Sequence, residues 1–114
     1  MSTQSIPAKP DMRRHQRILV PAGRTIRVAG SPAAGRPALE GVVTVIGLGG
    51  MFFRSEQSHA TGTVLRLRLA DTLFPFECEC TVRNVAPNGL GVEFTGITRE
   101  NEQRLKALLS AIKL

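Results

Sequence analysis

Two neighbouring runs between residues 64 and 82 alternate strictly between apolar and polar side chains. Successive side chains of a β-strand point to opposite faces, so each run predicts a strand with one buried face and one face toward water. If a hairpin turns through residues 71–74, a single register matches apolar pairs on one face and opposite charges on the other. The pattern therefore predicts antiparallel sheet. The register pairs Leu69 with Phe76, Arg68 with Glu77, Leu67 with Cys78 and Arg66 with Glu79.

Shorter apolar or β-branched runs, each ended by Gly, Pro or polar residues, predict the remaining strands. Residues 30–37 and 56–62 are interpreted as loops, and residues 87–89 (Pro-Asn-Gly) as a turn. The glycines within residues 47–50 can supply the positive φ angles of a tight turn between two strands. The strands are Arg17–Val20 with a continuation at Thr25–Val28, Leu39–Ile46, Met51–Phe53 and Leu90–Phe94.

After the last strand the apolar residues recur at helical spacing. Thr98 can cap this helix, and Glu100 and Glu102 then lie near the positive end of its dipole. About six strands followed by one helix, without alternation of strands and helices, predict a mainly β fold: a small antiparallel barrel closed by a C-terminal helix. The helix presents a single apolar stripe made of Leu105, Leu108, Leu109 and Ile112.

The length of 114 residues allows one domain. Residues 1–12 show little apolar periodicity and are predicted to be a flexible tail, which leaves residues 13–114 as the folded domain. The longest stretch without charge, residues 41–53, is shorter than the ~20 residues of a membrane helix. The first residues also lack the apolar run of a secretion signal. We therefore expect a cytoplasmic protein without membrane insertion.

The net charge of +6 is confined to the first third of the chain. Residues 1–36 contain seven Lys and Arg against one Asp, whereas residues 37–114 contain eight basic and eight acidic residues. A generally basic surface is typical of nonspecific nucleic-acid binding, but a basic end on a neutral body indicates one local anion site or a solubilising tail. Arg13, Arg14 and Arg17 cluster where the tail meets the first strand. Such guanidinium groups can fork onto phosphate oxygens and stack on a purine.

Catalytic and metal-binding patterns have little support in this sequence. Cys78 and Cys80 fall on one face of a predicted strand and are interpreted as buried thiols. His15 and His59 lack metal-ligand spacing to them, so we predict no metal site. There is no nucleophile–His–acid set, and no Lys-Ser/Thr follows the glycines of residues 47–50 as it does in a phosphate loop. We expect neither an enzyme nor a bound cofactor.

Several pieces of the chain, in their order and spacing, resemble the PilZ domain family. Arg13-x-x-x-Arg17 enters a strand, and a second element ends in Gly49-Gly50 followed by a hydrophobic residue. The resemblance covers about residues 12–114. The other matching pieces are Leu39–Thr44, Val82–Val85, Gly89–Phe94 and the closing helix.

The resemblance implies a six-stranded antiparallel PilZ-type β-barrel with a C-terminal helix that binds the bacterial second messenger cyclic di-GMP. It makes Arg13 and Arg17 the motif arginines that grip phosphates and guanine, and Arg14 a further phosphate contact. Gly50 matches the glycine of the family's second motif, Asp/Asn-x-Ser-x-x-Gly, whose acid or amide and hydroxyl meet the guanine edge.

The second motif is degenerate in this sequence. Val45 stands at the Asp/Asn position and Gly47 at the Ser position, and neither side chain can hydrogen-bond to a base. A missing polar partner costs ~1–3 kcal/mol, or about one to two decades of affinity.

Three functional hypotheses follow. The leading hypothesis is a cyclic di-GMP effector in which binding orders the Arg13–Arg17 segment against the barrel and changes the surface that a protein partner meets. The first alternative is a degenerate adaptor that binds no nucleotide and acts through protein contacts. A small nucleic-acid-binding barrel is the third, and the absence of Trp and Tyr for base stacking disfavours it.

Overall fold

A computed structural model describes residues 17–31, 39–71 and 73–113 of the chain. The predicted flexible tail, Arg13 and Arg14 lie outside these described residues. Seven strands and one helix form in them, with the helix at the C-terminal end. The elements are β1 (Arg17–Leu19), β2 (Arg27–Ser31), β3 (Leu39–Gly47), β4 (Gly50–Arg54), β5 (Val64–Ala70), β6 (Phe76–Ala86), β7 (Gly89–Gly96) and α1 (Arg99–Lys113).

The strands close into a barrel of six antiparallel positions. Strands β2, β5, β6, β7 and β4 follow one another in hydrogen-bonded order, and β3 closes the ring because it pairs with both β2 and β4. Strand β1 pairs with the C-terminal part of β3, beyond the part that pairs with β2. Together β1 and β2 therefore occupy the place of one interrupted strand, as the sequence predicted for the residues on either side of 21–23. The mainly β barrel with a C-terminal helix is confirmed.

The predicted hairpin register is confirmed along β5 and β6. Leu69 pairs with Phe76, and the register continues through the predicted charged and apolar pairs to Val64 opposite Thr81. On the outer face the side chains make a diagonal ion pair, in which Arg66 Nε lies 3.8 Å from a carboxylate oxygen of Glu77. The predicted pairing is thus correct for the backbone, where Arg66 lies opposite Glu79. The side chain of Arg66, however, turns toward Glu77.

The inward residues of the strands form one hydrophobic core. Leu65, Leu67 and Leu69 of β5 are fully buried, and so are the two thiols of β6. The sulfur atoms of Cys78 and Cys80 lie 3.6 Å apart. Their hydrogen bond, together with burial, raises the pKa of the Cys80 thiol above its usual range, so that this thiol stays neutral in the core.

Helix α1 packs against β6 and β1 as the apolar stripe predicts. Its four stripe residues are all buried. Thr98 caps the helix, because its hydroxyl oxygen accepts the backbone N–H of Asn101 at 3.2 Å. Two acidic residues occupy the first turn, where the helix dipole favours negative charge. No helix in the described part of the chain is long and apolar enough to cross a membrane.

The expectation of positive φ angles in the glycine turn of residues 47–50 is wrong. Among the described residues, the glycines with positive φ are Gly23 at 90° and Gly62 at 95°, and both lie in other turns. Gly47 and Gly50 instead belong to paired strands. A Cβ atom on Gly50 would overlap the carbonyl oxygen of Val92, so glycine is needed there for the close approach of β4 and β7.

Candidate functional site

A cavity of about 290 Å³ opens on the outer face of the barrel, where β1, β3, β4, β7 and β6 run side by side. It contains every predicted site residue that the structure describes. Its wall and floor include Arg17 of β1, Val45 and Gly47 of β3, Gly50 and Phe52 of β4, Gly91 of β7, and Arg83 and Asn84 of β6.

The middle of this cavity follows one transverse row of paired residues. Leu19 lies opposite Val45, Val45 opposite Phe52, Phe52 opposite Gly91, and Gly91 opposite Asn84. The row therefore crosses five strands. It starts with Leu19, whose surface is 74% exposed, and ends with the amide of Asn84.

A β-bulge in β3 turns Val45 outward. Val43 pairs with Phe53 and both are buried in the core, but the next pair is Val45 with Phe52, so Thr44 is an extra residue in its strand. Without that extra residue, Val45 would share the inward face of Val43. The bulge thus places the side chain of Val45 in the wall of the cavity.

A second bulge in β6 does the same for Asn84. Val82 pairs with Val92 inside the core, and the next pair is Asn84 with Gly91, which leaves Arg83 as the extra residue. The two bulges flank the cavity, and each turns one cavity-lining side chain outward. Bulges are over-represented next to functional sites because they re-aim side chains in this way.

The floor of the cavity is made by glycines and one aromatic ring. The Phe52 ring covers Gly89 so closely that a Cβ atom there would lie 2.8 Å from its tip. A Cβ atom on Gly91 would lie 3.7 Å from the same ring and 3.2 Å from Cβ of Asn84. The absence of a side chain on Gly91 therefore allows Phe52 and Asn84 to approach each other over β7. An outward aromatic ring beside a groove is a surface on which a planar base can stack.

Charge is distributed unevenly along the groove. Arg17 is exposed at one end and forms no ion pair with any residue that the structure describes. Arg83, at the other end, is paired with Glu93, with 2.7 Å between Nε and a carboxylate oxygen. Of these two arginines, Arg17 is therefore the one whose guanidinium group has no ion-pair partner among the described residues. An anionic group is favoured at that end, and an apolar or aromatic group is favoured over Val45 and Phe52.

Four residues of the cavity were not predicted from the sequence as site residues: Phe52, Arg83, Asn84 and Gly91. Residues 51–53 are apolar throughout, so the sequence alone does not show that Phe52 faces outward; in the structure Met51 and Phe53 are buried and Phe52, between them, lies on the opposite face. Asn84 carried no signal either, since its direction depends on the bulge at Arg83.

The sequence matches the family model of the PilZ domain over residues 11–111. The chain belongs to the PilZ domain family. No curated protein matches the sequence.

Solved structures share this fold at low sequence identity. The PilZ domain of YcgR with c-di-GMP from Escherichia coli has a TM-score of 0.74 and 15% identity, over 90% of this chain and 92% of that chain. The PilZ domain of CeSA from a cellulose-synthesizing bacterium gives 0.68 and 16%, over 87% and 99%. MrkH, described as a c-di-GMP-dependent transcription regulatory factor, gives 0.76 and 13%, over 89% of this chain and 51% of that one.

Proposed function

We propose that this protein is a non-enzymatic receptor module for cyclic di-GMP. The observation that carries the proposal is the convergence of Arg17, Val45, Gly47 and Gly50 on one cavity. These residues come from three strands, and the sequence resemblance assigns them to positions of the two PilZ motifs. Family membership and the c-di-GMP named with the YcgR domain support the same ligand.

In this proposal Arg17 binds a phosphate of the ligand from the end of the groove, together with Arg13 and Arg14. A guanidinium group can donate two parallel hydrogen bonds to phosphate oxygens. One base then lies over the ring of Phe52, between Val45 and Gly91. The cavity, at about 290 Å³, is at the small end of small-molecule sites and encloses only part of a dinucleotide.

A degenerate adaptor that acts only through protein contacts is the second candidate. The outward row of Leu19, Val45 and Phe52 favours it, because apolar side chains on an outer barrel face are typical of protein contacts.

Titration calorimetry tests the proposal, with GMP and a short single-stranded DNA as comparison ligands. We expect cyclic di-GMP alone to bind, and Arg17→Ala to weaken binding about a hundredfold. Arg66→Ala is the matched control, since Arg66 is an exposed strand arginine on the hairpin face. Silence from all three ligands would favour the adaptor, and preference for DNA would favour a nucleic-acid-binding barrel. Equal binding by Arg17→Ala and the control would contradict the arginine assignment.

A further inference from the structure

Building on the proposed function, we propose that Asn84 reads the edge of the enclosed base, and that the site therefore accepts adenine as well as guanine cyclic dinucleotides. In this proposal the side-chain amide of Asn84 in β6 makes the hydrogen bond to the base that Val45 and Gly47 cannot make. The proposal also assigns to the protein a wider class of ligand than cyclic di-GMP.

The position of Asn84 is set by the fold. The bulge at Arg83 turns its side chain out of the core and into the cavity wall. Across Gly91 lies the ring of Phe52, and the two side chains approach each other so closely that a Cβ atom on Gly91 would contact both. Within the described part of the chain, the Asn84 amide makes no hydrogen bond. It is available to a ligand.

The distances along the row suit one purine. Neighbouring strands lie about 4.8 Å apart, so Asn84 is about 10 Å from the column of Phe52 and about 14 Å from that of Val45. A base stacked on Phe52 and extending over Gly91 brings its edge to Asn84. Arg17 lies beyond Val45 at the opposite end, where the phosphate would be held.

The chemistry of an amide differs from that of a carboxylate at a purine edge. An ionised carboxylate only accepts hydrogen bonds, so it suits the two adjacent donors of guanine, N1–H and the N2 amino group, and is repelled by the unprotonated N1 of adenine. An amide both donates and accepts. It can pair with O6 and N1–H of guanine, or with N1 and the N6 amino group of adenine.

Among the described residues, the two degenerate motif positions add no hydrogen bond to a base edge, because Val45 and Gly47 have no polar side-chain atom. Val45 presents only methyl groups toward the groove. Glu93 lies opposite Gly50 on the neighbouring strand, and its carboxylate oxygen Oε1 is 2.7 Å from Nε of Arg83, with which it forms an ion pair. In this proposal the side-chain amide of Asn84 therefore makes the hydrogen bonds to the base edge. Because the amide can pair with either purine, the site does not select guanine over adenine.

Calorimetry with cyclic di-GMP and cyclic di-AMP tests the inference. For the wild-type protein we expect dissociation constants within about fivefold of each other, since both bases offer a donor and an acceptor to Asn84. Asn84→Ala should weaken both by about tenfold. Asn88→Ala is the matched control, because Asn88 lies exposed in the β6–β7 turn, where its backbone carbonyl accepts a hydrogen bond from Ser55 N–H and its side-chain amide bonds to no residue that the structure describes.

The outcomes separate the inference from the function on which it rests. If cyclic di-GMP binds while cyclic di-AMP binds at least about a hundredfold more weakly, the receptor function stands and the relaxed selectivity is overturned. If Asn84→Ala keeps the melting temperature and both affinities of the control, the assignment of Asn84 is overturned. If neither cyclic dinucleotide binds, the proposed function fails and the inference with it.

Discussion

The β5–β6 hairpin and the cavity side of the barrel carry different kinds of side chain at their outward-facing positions. On the β5–β6 hairpin the outward residues are charged, as in Arg66, Glu77 and Glu79, and the inward residues are apolar. On the cavity side most outward residues of the central row are apolar or glycine, as in Val45 and Gly91, and the row ends with one polar side chain, Asn84. Strand positions that face water are usually polar, so the apolar side chains and glycines of this row depart from the ordinary alternation, which agrees with the binding surface proposed above.

The two sides also differ in regularity. The β5–β6 pairing runs without interruption from Val64 opposite Thr81 to Leu69 opposite Phe76. The cavity is flanked by the bulges at Thr44 and Arg83. Regular pairing makes the hairpin a stabilising element. The bulges turn Val45 and Asn84 outward into the cavity wall, whereas regular alternation would turn both side chains into the core.

The largest expected effect is on stability, at Leu67 in the hairpin. Leu67→Ala removes a fully buried side chain and should lower the free energy of unfolding by about 2–5 kcal/mol. Val45→Ala, on the partly exposed cavity wall, should cost less than about 1 kcal/mol. Urea denaturation followed by circular dichroism measures both. A larger loss for Val45→Ala than for Leu67→Ala would show that the cavity wall is part of the core.

A smaller loss is expected at Asp71, where the hairpin loop contacts the β1–β2 connection. The Asp71 carboxylate accepts hydrogen bonds from the backbone N–H groups of Leu73 and Phe74 and pairs with Arg24 at 2.9 Å. Asp71→Ala should cost about 2–4 kcal/mol, because it leaves Arg24 partly buried without its partner. Urea denaturation at neutral pH measures this cost.

The contribution of Asp71 should depend on pH in a defined direction. Burial works to raise its pKa, but the hydrogen bonds from Phe74, Arg24 and Leu73 outweigh burial and hold the pKa below its ordinary value. A depressed pKa stabilises the folded state above the unfolded value of about 3.9, and this stabilisation is lost as the pH falls through the folded pKa. The difference between wild type and Asp71→Ala should therefore be constant above pH ~5 and shrink in more acidic solution. A difference that grows on acidification would contradict this assignment.

Sequence patterns predicted the regular side of the molecule better than the bulged side. Strict alternation specified the β5–β6 register pair by pair, and helical spacing specified the buried stripe of α1. In the apolar run of β3, Val43 and Val45 look equivalent, because a bulge leaves no mark in a run of β-branched residues. For the site, Arg17 and Gly50 came from the family resemblance. Asn84 and Gly91 converge only through strand pairings between residues far apart in the chain.

Restoring the polar motif should strengthen ligand binding. Val45→Asp combined with Gly47→Ser should raise the affinity for cyclic di-GMP by about tenfold to a hundredfold, through contacts worth ~1–3 kcal/mol less the cost of ordering them. Gly47 does not have a positive φ, so serine brings no backbone strain there. Val45→Asp alone separates the two contributions and should also shift selectivity toward guanine. Calorimetry with both cyclic dinucleotides measures these effects.

The control for this gain is Arg17→Ala in the same background, which should erase it because phosphate and base contacts act on one ligand. Val45 faces the cavity, so the carboxylate of the variant stays near solvent and the melting temperature should change little. A double variant that folds normally and still binds no cyclic di-GMP would favour the adaptor.

The smallest expected effect is at the charged outer face of the hairpin. Arg66 Nε lies 3.8 Å from Glu77, and both side chains are more than half exposed. Water screens such a pair, so Arg66→Ala should lower the free energy of unfolding by less than about 0.5 kcal/mol. A double-mutant cycle of Arg66 and Glu77 should give a coupling of about 0.2–0.5 kcal/mol that fades at 1 M salt, and the cycle of Arg66 with Glu79 should give less. If the Glu79 coupling is larger, Arg66 pairs directly across the strands in solution. If either coupling exceeds about 1 kcal/mol, the outer charges contribute to the stability of the hairpin and do not only keep its outer face soluble. The hairpin would then owe its stability to its outer face as well as to its buried leucines.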